Sequence, residues 1–271
     1  MRFHPATHAA DLPPGHLRVL EADPDLGSRL TGARHAEAAE RLVARTLGAR
    51  AGTLPDDALR IAGPEGLGLL LLDGVIAREL LLSDNISVEL LSAGDLLQDC
   101  RADDPTRLLR SHVRWTVIEP TRLAVLGSRF AAQLTAYPEI TATLMTRLVE
   151  RAHRVAVAHA IAQLNGVDRR ALALFWHLAE RWGQISNAGV ELPLRLPHRI
   201  IAQLIGARRP TVSSALTQLT DRGEIARRAD GGWILRGEPV GMPTSEVSRV
   251  IELRRRRARP GGTPIAAAVV A

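Results

Sequence analysis

The sequence predicts an α+β fold made of two folded units, and three observations lead to this prediction. Short apolar runs separated by turn residues fill residues 61–126, which is typical of an antiparallel β-roll. Apolar residues at spacings of three and four follow from Ile140 to Ala162 and predict one long helix. Residues 197–235 have the spacing of two helices joined by a sharp turn and followed by a hairpin. The length of 271 residues leaves room for two such units and their extensions.

The N-terminal part predicts an arm followed by the β-roll. Residues 1–55 are rich in proline, aspartate and alanine, and the helical face of residues 36–47 predicts a loose arm ending in one helix. The β-roll is predicted over residues 56–127. Within it, Asp73-Gly74 predicts a hairpin turn, and residues 119–122 predict a second break between strands.

The long helix is predicted as part of residues 128–165 and offers a surface for a second copy of the chain. Its apolar stripe is narrow and charged residues lie elsewhere on the helix, which favours a helix pair between two subunits. The candidate dimer contacts are Ile140, Leu144, Leu148 and Val155. The alternative is that the stripe packs on the β-roll of its own chain, and one helix face could do both.

The C-terminal unit is predicted over residues 166–236. Ala202 allows two helices to approach closely, Gly206 lets the backbone turn sharply, and Val212 fills the angle between the helices. Pro210 suits the first turn of the second helix. Polar residues at the beginning of that helix are typical of a helix that enters the DNA major groove. Two short strands around an Asp-Gly-Gly turn then predict the wing of a winged helix.

The charge is unevenly divided. Residues 1–165 hold 18 arginines against 20 acidic residues, a net charge of −2, whereas residues 166–271 hold 17 against 9, a net charge of +8. A basic unit joined to a nearly neutral one indicates a nucleic-acid module attached to a sensing or assembling module. Residues 237–271 contain four prolines and a run of four arginines, which predicts a disordered basic tail.

Several protein classes are disfavoured. The apolar runs are too short to cross a bilayer and the N-terminus lacks the apolar core of a signal peptide, so a cytoplasmic protein is expected. Cys100 is the single cysteine, so it forms no internal disulfide and holds no zinc or iron–sulfur site by itself. Neither the spacing of a metal site nor a set of catalytic residues is found, and we predict that the protein is not an enzyme.

The order of β-roll, long helix and winged helix resembles the Crp/Fnr family of bacterial transcription regulators. Residues 92–97 resemble the family's strand that ends in Gly-Asp, residues 118–126 resemble the last strands of its sensor domain, and residues 194–216 are similar to its helix-turn-helix. The last stretch is the most specific of the three. The resemblance implies a cyclic-nucleotide-binding-like β-roll, that is, a double-stranded β-helix or jelly roll, then a dimerisation helix and a winged helix-turn-helix.

The resemblance also suggests which residues contact DNA. The family commonly has Arg-Glu-Thr-Val-Ser-Arg here, whereas this chain has Pro210 in place of the glutamate and Ser214 in place of the last arginine. We therefore assign base reading chiefly to Arg209, with Arg208 and Ser214 as helpers, and leave open that Arg208 contacts phosphate only. The predicted phosphate contacts are Thr211, Ser213, Gln218, Arg227 and Arg228.

The resemblance points to an effector site only weakly. In members that bind cyclic nucleotides, a Gly-Glu segment and a following Arg-Ser or Arg-Thr hold the ribose and phosphate. Asp99, Arg110 and Ser111 correspond here, but Gln98 replaces the glycine whose backbone would approach the phosphate. No cofactor is assigned, and a cyclic nucleotide remains an open but disfavoured effector.

The sequence therefore predicts a homodimeric regulator that binds a palindromic DNA site, with an unknown effector. Its expected partners are double-stranded DNA and a second copy of the chain, RNA polymerase is a further candidate, and no membrane is expected. The alternative is an architectural DNA-binding protein that needs no ligand and uses the β-roll only as a scaffold.

Overall fold

The computed structural model describes residues 12–98 and 108–239 of the chain. Contacts within the chain divide it into two compact units, Met1–Val155 and Ala156–Ala271. In the described residues, no helix is long and apolar enough to cross a membrane.

A seven-stranded antiparallel sheet forms the first unit. Its path runs β1-β2-β7-β4-β5, while β3 pairs with β7 and β6 pairs with β4. The strands are β1 (His16–Arg18), β2 (Val43–Ala49), β3 (Gly52–Thr53), β4 (Gly68–Leu82), β5 (Asn85–Ser92), β6 (Leu96–Leu97) and β7 (His112–Leu126). The helices of this region are α1 (Val19–Ala22), α2 (Gly32–Arg41), α3 (Ser128–Leu134) and α4 (Pro138–Ala162), with 3-10 helices at Pro24–Gly27 and Asp56–Ala62. The predicted α+β class and β-roll are confirmed.

The predicted helix at residues 36–47 is partly wrong. Helix α2 ends at Arg41, and from Val43 the chain forms β2, which pairs with β7. β-branched residues such as Val43 and Thr46 suit a strand whose partner is already extended. The region predicted as a loose arm thus contributes three strands, β1, β2 and β3, to the sheet, and Leu42 between helix and strand is fully buried.

Asp73-Gly74 does not form the predicted hairpin. Strand β4 runs through both residues, and its register against β7 shifts between Leu71 and Val75. Gly74 has a φ of +89°, and a Cβ atom there would lie 2.3 Å from the carbonyl oxygen of Pro120. The dipeptide is therefore an irregularity in a continuous strand, where only glycine fits. The second predicted break contains Pro120 and likewise lies within β7.

Alternate residues of β4 enter two different cores, as the two-residue period of a strand requires. Leu69 and Leu71 pack with Ile76 and Trp115 in one core, which also includes residues of the 3-10 helix Asp56–Ala62. Leu70 and Leu72 face the other core, to which the helices contribute.

The second unit contains α5 (Val167–Trp182), α6 (His198–Leu204), α7 (Arg209–Asp221) and four strands. Strands β8 (Gln184–Ser186), β9 (Gly189–Leu192), β10 (Ile225–Arg227) and β11 (Trp233–Leu235) form an antiparallel sheet in the order β10-β11-β9-β8. The predicted wing hairpin is β10 and β11, whereas β8 and β9 were not anticipated. The predicted tail beyond Pro239 lies outside the described residues.

Candidate nucleic-acid interface

Helices α6 and α7 form the helix-turn-helix that the spacing predicts. Gly206 adopts a φ of +61° in the turn, and Ala207 donates its N–H to the carbonyl of Ala202 at 2.9 Å. Ala202 and Val212 are both buried between the helices. Arg170 of α5 secures the turn, because its Nη1 donates to the carbonyl oxygen of Ile205 at 3.0 Å. The turn therefore has a fixed geometry that positions the beginning of α7.

Helix α7 has one buried and one exposed side. Val212, Ala215, Leu216 and Leu219 are buried, so they fix the rotation of the helix about its axis. The predicted DNA contacts Arg208, Arg209, Thr211, Ser214 and Gln218 are all exposed. The packing of the first group is what leaves the second group free on the opposite side.

Ser213 differs from the other predicted contacts because it is half-buried and bonded within the protein. Its hydroxyl donates to the carbonyl oxygen of Arg209 at 3.2 Å and lies 3.0 Å from Nδ1 of His198. Sequence reasoning did not single out His198, the first residue of α6, because it belongs to no distinctive pattern. The hydroxyl of Ser214 donates to the carbonyl of Pro210 at 3.3 Å and stays exposed.

Arg227 on the wing is held over an aromatic ring. Its guanidinium carbon lies 4.3 Å from the ring centroid of Trp233, its cross-strand neighbour. Trp233 is buried and packs against Phe175 of α5, with ring centroids 4.9 Å apart. The arginine is exposed yet positioned, since the ring beneath it is fixed.

Arg228 has a different environment. Its Nη1 is bonded to Glu191 of β9, and its Nη2 lies 2.9 Å from a carboxylate oxygen of Asp230. The Asp230 carboxylate accepts the N–H of Gly232 at 2.9 Å, and this bond, followed by Arg228, lowers the pKa of Asp230. The charge of Arg228 is thus compensated within the wing.

The charges of Arg209 and Arg227 both act on the imidazole of His198. Burial lowers the pKa of His198 from its ordinary value, and the positive charges of Arg227 and Arg209 lower it further. The three side chains come from α6, α7 and β10. Such a cluster suits a polyanion.

The predicted dimer contacts on α4 form two groups, one buried and one exposed. Ile140 and Leu144 are 0% and 8% exposed and belong to the core of the first unit, as the alternative interpretation required. Leu148 and Val155 are exposed. The prediction of Ile140 and Leu144 as dimer contacts is corrected because these side chains pack on their own chain.

The exposed face of α4 includes residues that the predicted stripe omitted. The exposed fractions are 56% for Met145, 38% for Leu148, 67% for Val149 and 46% for Val155. We call these four residues, with the exposed Ala152 between them, the apolar seam. Met145, Leu148, Ala152 and Val155 recur at spacings of three, four and three, which is the heptad spacing of paired helices.

Another face of α4 carries arginines bonded to carboxylates of the first unit. Arg147 forms two bonds to Asp23, of 2.5 and 2.8 Å. Arg151 forms two bonds to Glu89 and a third to the carbonyl of Leu96. Arg154 donates to Asp95 at 2.7 Å. We call Arg147, Arg151 and Arg154 the arginine row.

The predicted effector residues lie only partly within the described part of the chain, so their grouping stays a prediction. Asp99 lies outside the described residues, Arg110 is exposed, and Ser111 is half-buried immediately before β7. Leu71, Ile76 and Trp115 in the roll's own core are at most 4% exposed. Residues 12–98 and 108–239 contain no group of three His, Cys, Asp or Glu side chains that could hold a metal ion.

Comparisons with known proteins bear on both units. Residues 168–237 match the family model of the Crp-like helix-turn-helix domain. Among solved structures, a mutant of CooA from Carboxydothermus hydrogenoformans is 16% identical, with a TM-score of 0.55 over 78% of this chain and 87% of that chain. TTHB099, a CRP-family transcriptional regulator from Thermus thermophilus, is 19% identical, with a TM-score of 0.52 over 76% of this chain and 95% of that chain.

A second structure from Thermus thermophilus gives the same result. TTHA1359, a CRP/FNR-family transcriptional regulator, is 19% identical, with a TM-score of 0.50 over 77% of this chain and 98% of that chain. No curated protein matches the sequence. The resemblance drawn from the sequence is confirmed, for the helix-turn-helix by the family match and for the fold by the solved structures.

Proposed function

We propose that this chain, which has the Crp/Fnr fold and carries a Crp-like helix-turn-helix domain, is a transcription regulator that binds a palindromic DNA site as a homodimer. The observation that supports this best is the exposed polar side of α7. This helix begins with Arg209 and lies within residues 166–271, which have a net charge of +8. A basic helix-turn-helix with a wing is a DNA-binding device and has no catalytic group of its own. We therefore propose a binding protein and not an enzyme.

In this proposal α7 enters the major groove. Arg209 reads base edges, because an arginine fork can donate two hydrogen bonds to guanine, with Arg208 and Ser214 beside it. Thr211 and Gln218 contact phosphates from the same exposed side.

The two wing arginines have different roles in the proposal. Arg227 contacts phosphate from its position above Trp233. Arg228 stabilises the wing through Glu191 and Asp230, so we no longer propose it as a phosphate contact. The half-buried Ser213 acts through its bonds to Arg209 and His198.

The apolar seam of α4 is the proposed contact with a second copy. Four large apolar side chains that are 38–67% exposed would gain free energy on burial. Because each is already about half buried, the gain is about 0.8–1.5 kcal/mol for each side chain. Two-fold symmetry then places two α7 helices on half-sites about 34 Å apart, one turn of DNA. RNA polymerase is a candidate further partner.

The effector is a separate question. The core of the β-roll in the described residues is filled by its own side chains, which favours the second candidate function. In that candidate, the β-roll is a scaffold and DNA binding needs no ligand. A cyclic nucleotide remains a candidate effector through Arg110 and Ser111 only.

The test is selection of bound DNA from a random duplex pool, with and without a small-molecule cell extract. Enrichment of one palindrome supports the regulator, and a requirement for the extract supports an effector. An Arg209→Ala variant should change or lose the selected sequence, whereas Arg41→Ala on α2 serves as the matched control. Binding without any enriched sequence would favour an architectural protein, and absence of binding would refute the proposal.

A further inference from the structure

His198 stands at a position from which it can reach both the protein and a bound polyanion. It is the first residue of α6, it is half-buried, and its Nδ1 lies 3.0 Å from the hydroxyl oxygen of Ser213 in α7. The imidazole therefore joins the beginnings of the two helices of the helix-turn-helix.

The bond to Ser213 shows how a protonated imidazole fits this position. In the imidazolium ion both ring nitrogens carry a proton. Nδ1 then donates to the hydroxyl oxygen of Ser213, which donates its own hydrogen to the carbonyl of Arg209. Nε2–H is the second donor of the charged ring.

The charges around the ring oppose its protonation when no DNA is bound. The groups that act on His198 are Arg209 of α7 and Arg227 of β10, both positive, while Ser213 is neutral. Arg199, next on α6, is bonded to Gln203. Burial and the two arginines lower the pKa of His198 from its ordinary value and so favour the neutral ring in the free protein.

We infer that His198 binds a DNA phosphate as the imidazolium ion, so that DNA binding takes up a proton at this residue; this rests on the proposed function. A phosphate that Arg227 contacts brings negative charge to the cluster that holds His198. Its charge compensates the two arginines, and Nε2–H of the protonated ring then becomes a donor to a phosphate oxygen.

The direction of the pH dependence follows from this linkage. A phosphate raises the pKa of His198 in the complex above its value in the free protein. Between these two pKa values, the DNA association constant rises as the pH falls, by up to about tenfold per pH unit for each subunit. Above both pKa values and below both, the contribution of His198 to the pH dependence vanishes.

The experiment measures binding of a labelled random-sequence duplex by fluorescence anisotropy from pH 5.5 to 8.5 at constant ionic strength. Phosphate contacts do not depend on sequence, so no operator is needed. For the wild type we expect the dissociation constant to fall by about tenfold from pH 8 to pH 6. The slope of log K against log salt should also steepen by about 0.9 for each subunit.

Three variants separate this inference from other sources of pH dependence. His198→Gln keeps a polar side chain without a titrating proton, and its dissociation constant should change less than twofold from pH 8 to pH 6. His198→Arg is charged at every pH and should bind tightly with the same flat profile. His16→Gln, a matched substitution on β1 of the first unit, should keep the wild-type profile.

The outcomes distinguish the two proposals. If His198→Gln keeps the wild-type pH dependence and salt slope, the inference is overturned while DNA binding stands. If the wild type binds no duplex at any pH, the proposed function fails as well. A proton NMR titration gives an independent check, because the midpoint of the His198 ring signal must rise when the duplex is added, and an unchanged midpoint overturns the inference.

Discussion

Replacing Arg151 with alanine tests how strongly the arginine row holds α4 on the first unit. Arg151 donates from Nε and Nη2 to the two oxygens of Glu89, at 2.6 and 2.8 Å, and from Nη1 to the carbonyl of Leu96 at 2.8 Å. The side chains of Arg151 and Glu89 are both 17% exposed. The substitution would leave a mostly buried carboxylate without its main partner.

The expected cost follows from this geometry. Removal of one partner from a fully buried ion pair costs about 3–5 kcal/mol, whereas exposed pairs contribute about 0–1 kcal/mol. Glu89 keeps a second arginine, Arg78, whose Nη1 lies 3.6 Å from one carboxylate oxygen. Because the pair is slightly exposed and one positive charge stays nearby, we expect Arg151→Ala to lower the free energy of unfolding of the first unit by about 2–4 kcal/mol.

The measurement must report on one unit, since the two units need not unfold together. We would measure hydrogen exchange by mass spectrometry, across a urea series at fixed protein concentration. Peptides from β5 and β7 report on the first unit alone. The control is Arg129→Ala, at an exposed position of α3 in the same unit, and it should cost less than about 0.5 kcal/mol. If Arg151→Ala costs no more than this control, the reasoning about the arginine row is refuted.

Other predictions concern the proposed function. Val149→Glu would place a negative charge on the apolar seam of each subunit, and it should raise the dimer dissociation constant, measured by sedimentation, at least about tenfold. His153→Glu, at an exposed position off the seam, should leave this constant unchanged. Equal dissociation constants for the two variants would contradict the proposed contact. Arg209→Ala should lose about 1–3 kcal/mol of discrimination between selected and random DNA. If the ratio of the two dissociation constants is unchanged, Arg209 does not read the bases. Arg227→Ala should weaken binding to both DNAs alike and reduce the salt slope by about 0.9 in each subunit; a sequence-dependent loss would indicate base reading instead.

The helix-turn-helix was predictable because its signals are local. Ala202, Gly206 and Val212 act within one short stretch, and the wing is a hairpin whose strands are adjacent in sequence. The stacking of Arg227 on Trp233 could also have been found, since the two residues are directly opposed in that hairpin. The compensation of Arg228 could not, because Glu191 comes from β9, whose place beside β11 is set by long-range pairing.

The sheet of the first unit was harder to predict for the same reason. Strand β2 forms against β7, far along the chain, so its residues show no local sign of the partner that makes them extended. Asp73-Gly74 has the composition of a hairpin turn, yet the chain turns at Ser83-Asp84, where Leu82 pairs with Asn85. Ser83 adopts a φ of 51° there, a conformation that composition alone does not assign to serine.

Helix α4 shows how ion pairs decide which apolar residues remain for a partner. Periodicity predicts an apolar stripe but not its rotation, and the residues of the arginine row lie between those of the seam in sequence. With Arg147, Arg151 and Arg154 bonded to the first unit, Val149 is left exposed. We therefore expect Glu89→Gln, which changes no seam residue, to weaken dimerisation by a few-fold in the sedimentation assay, because α4 loses the carboxylate charge that fixes its rotation. If the dimer dissociation constant is unchanged while the amide hydrogens of β5 exchange faster, the orientation of the seam is set by the apolar core alone.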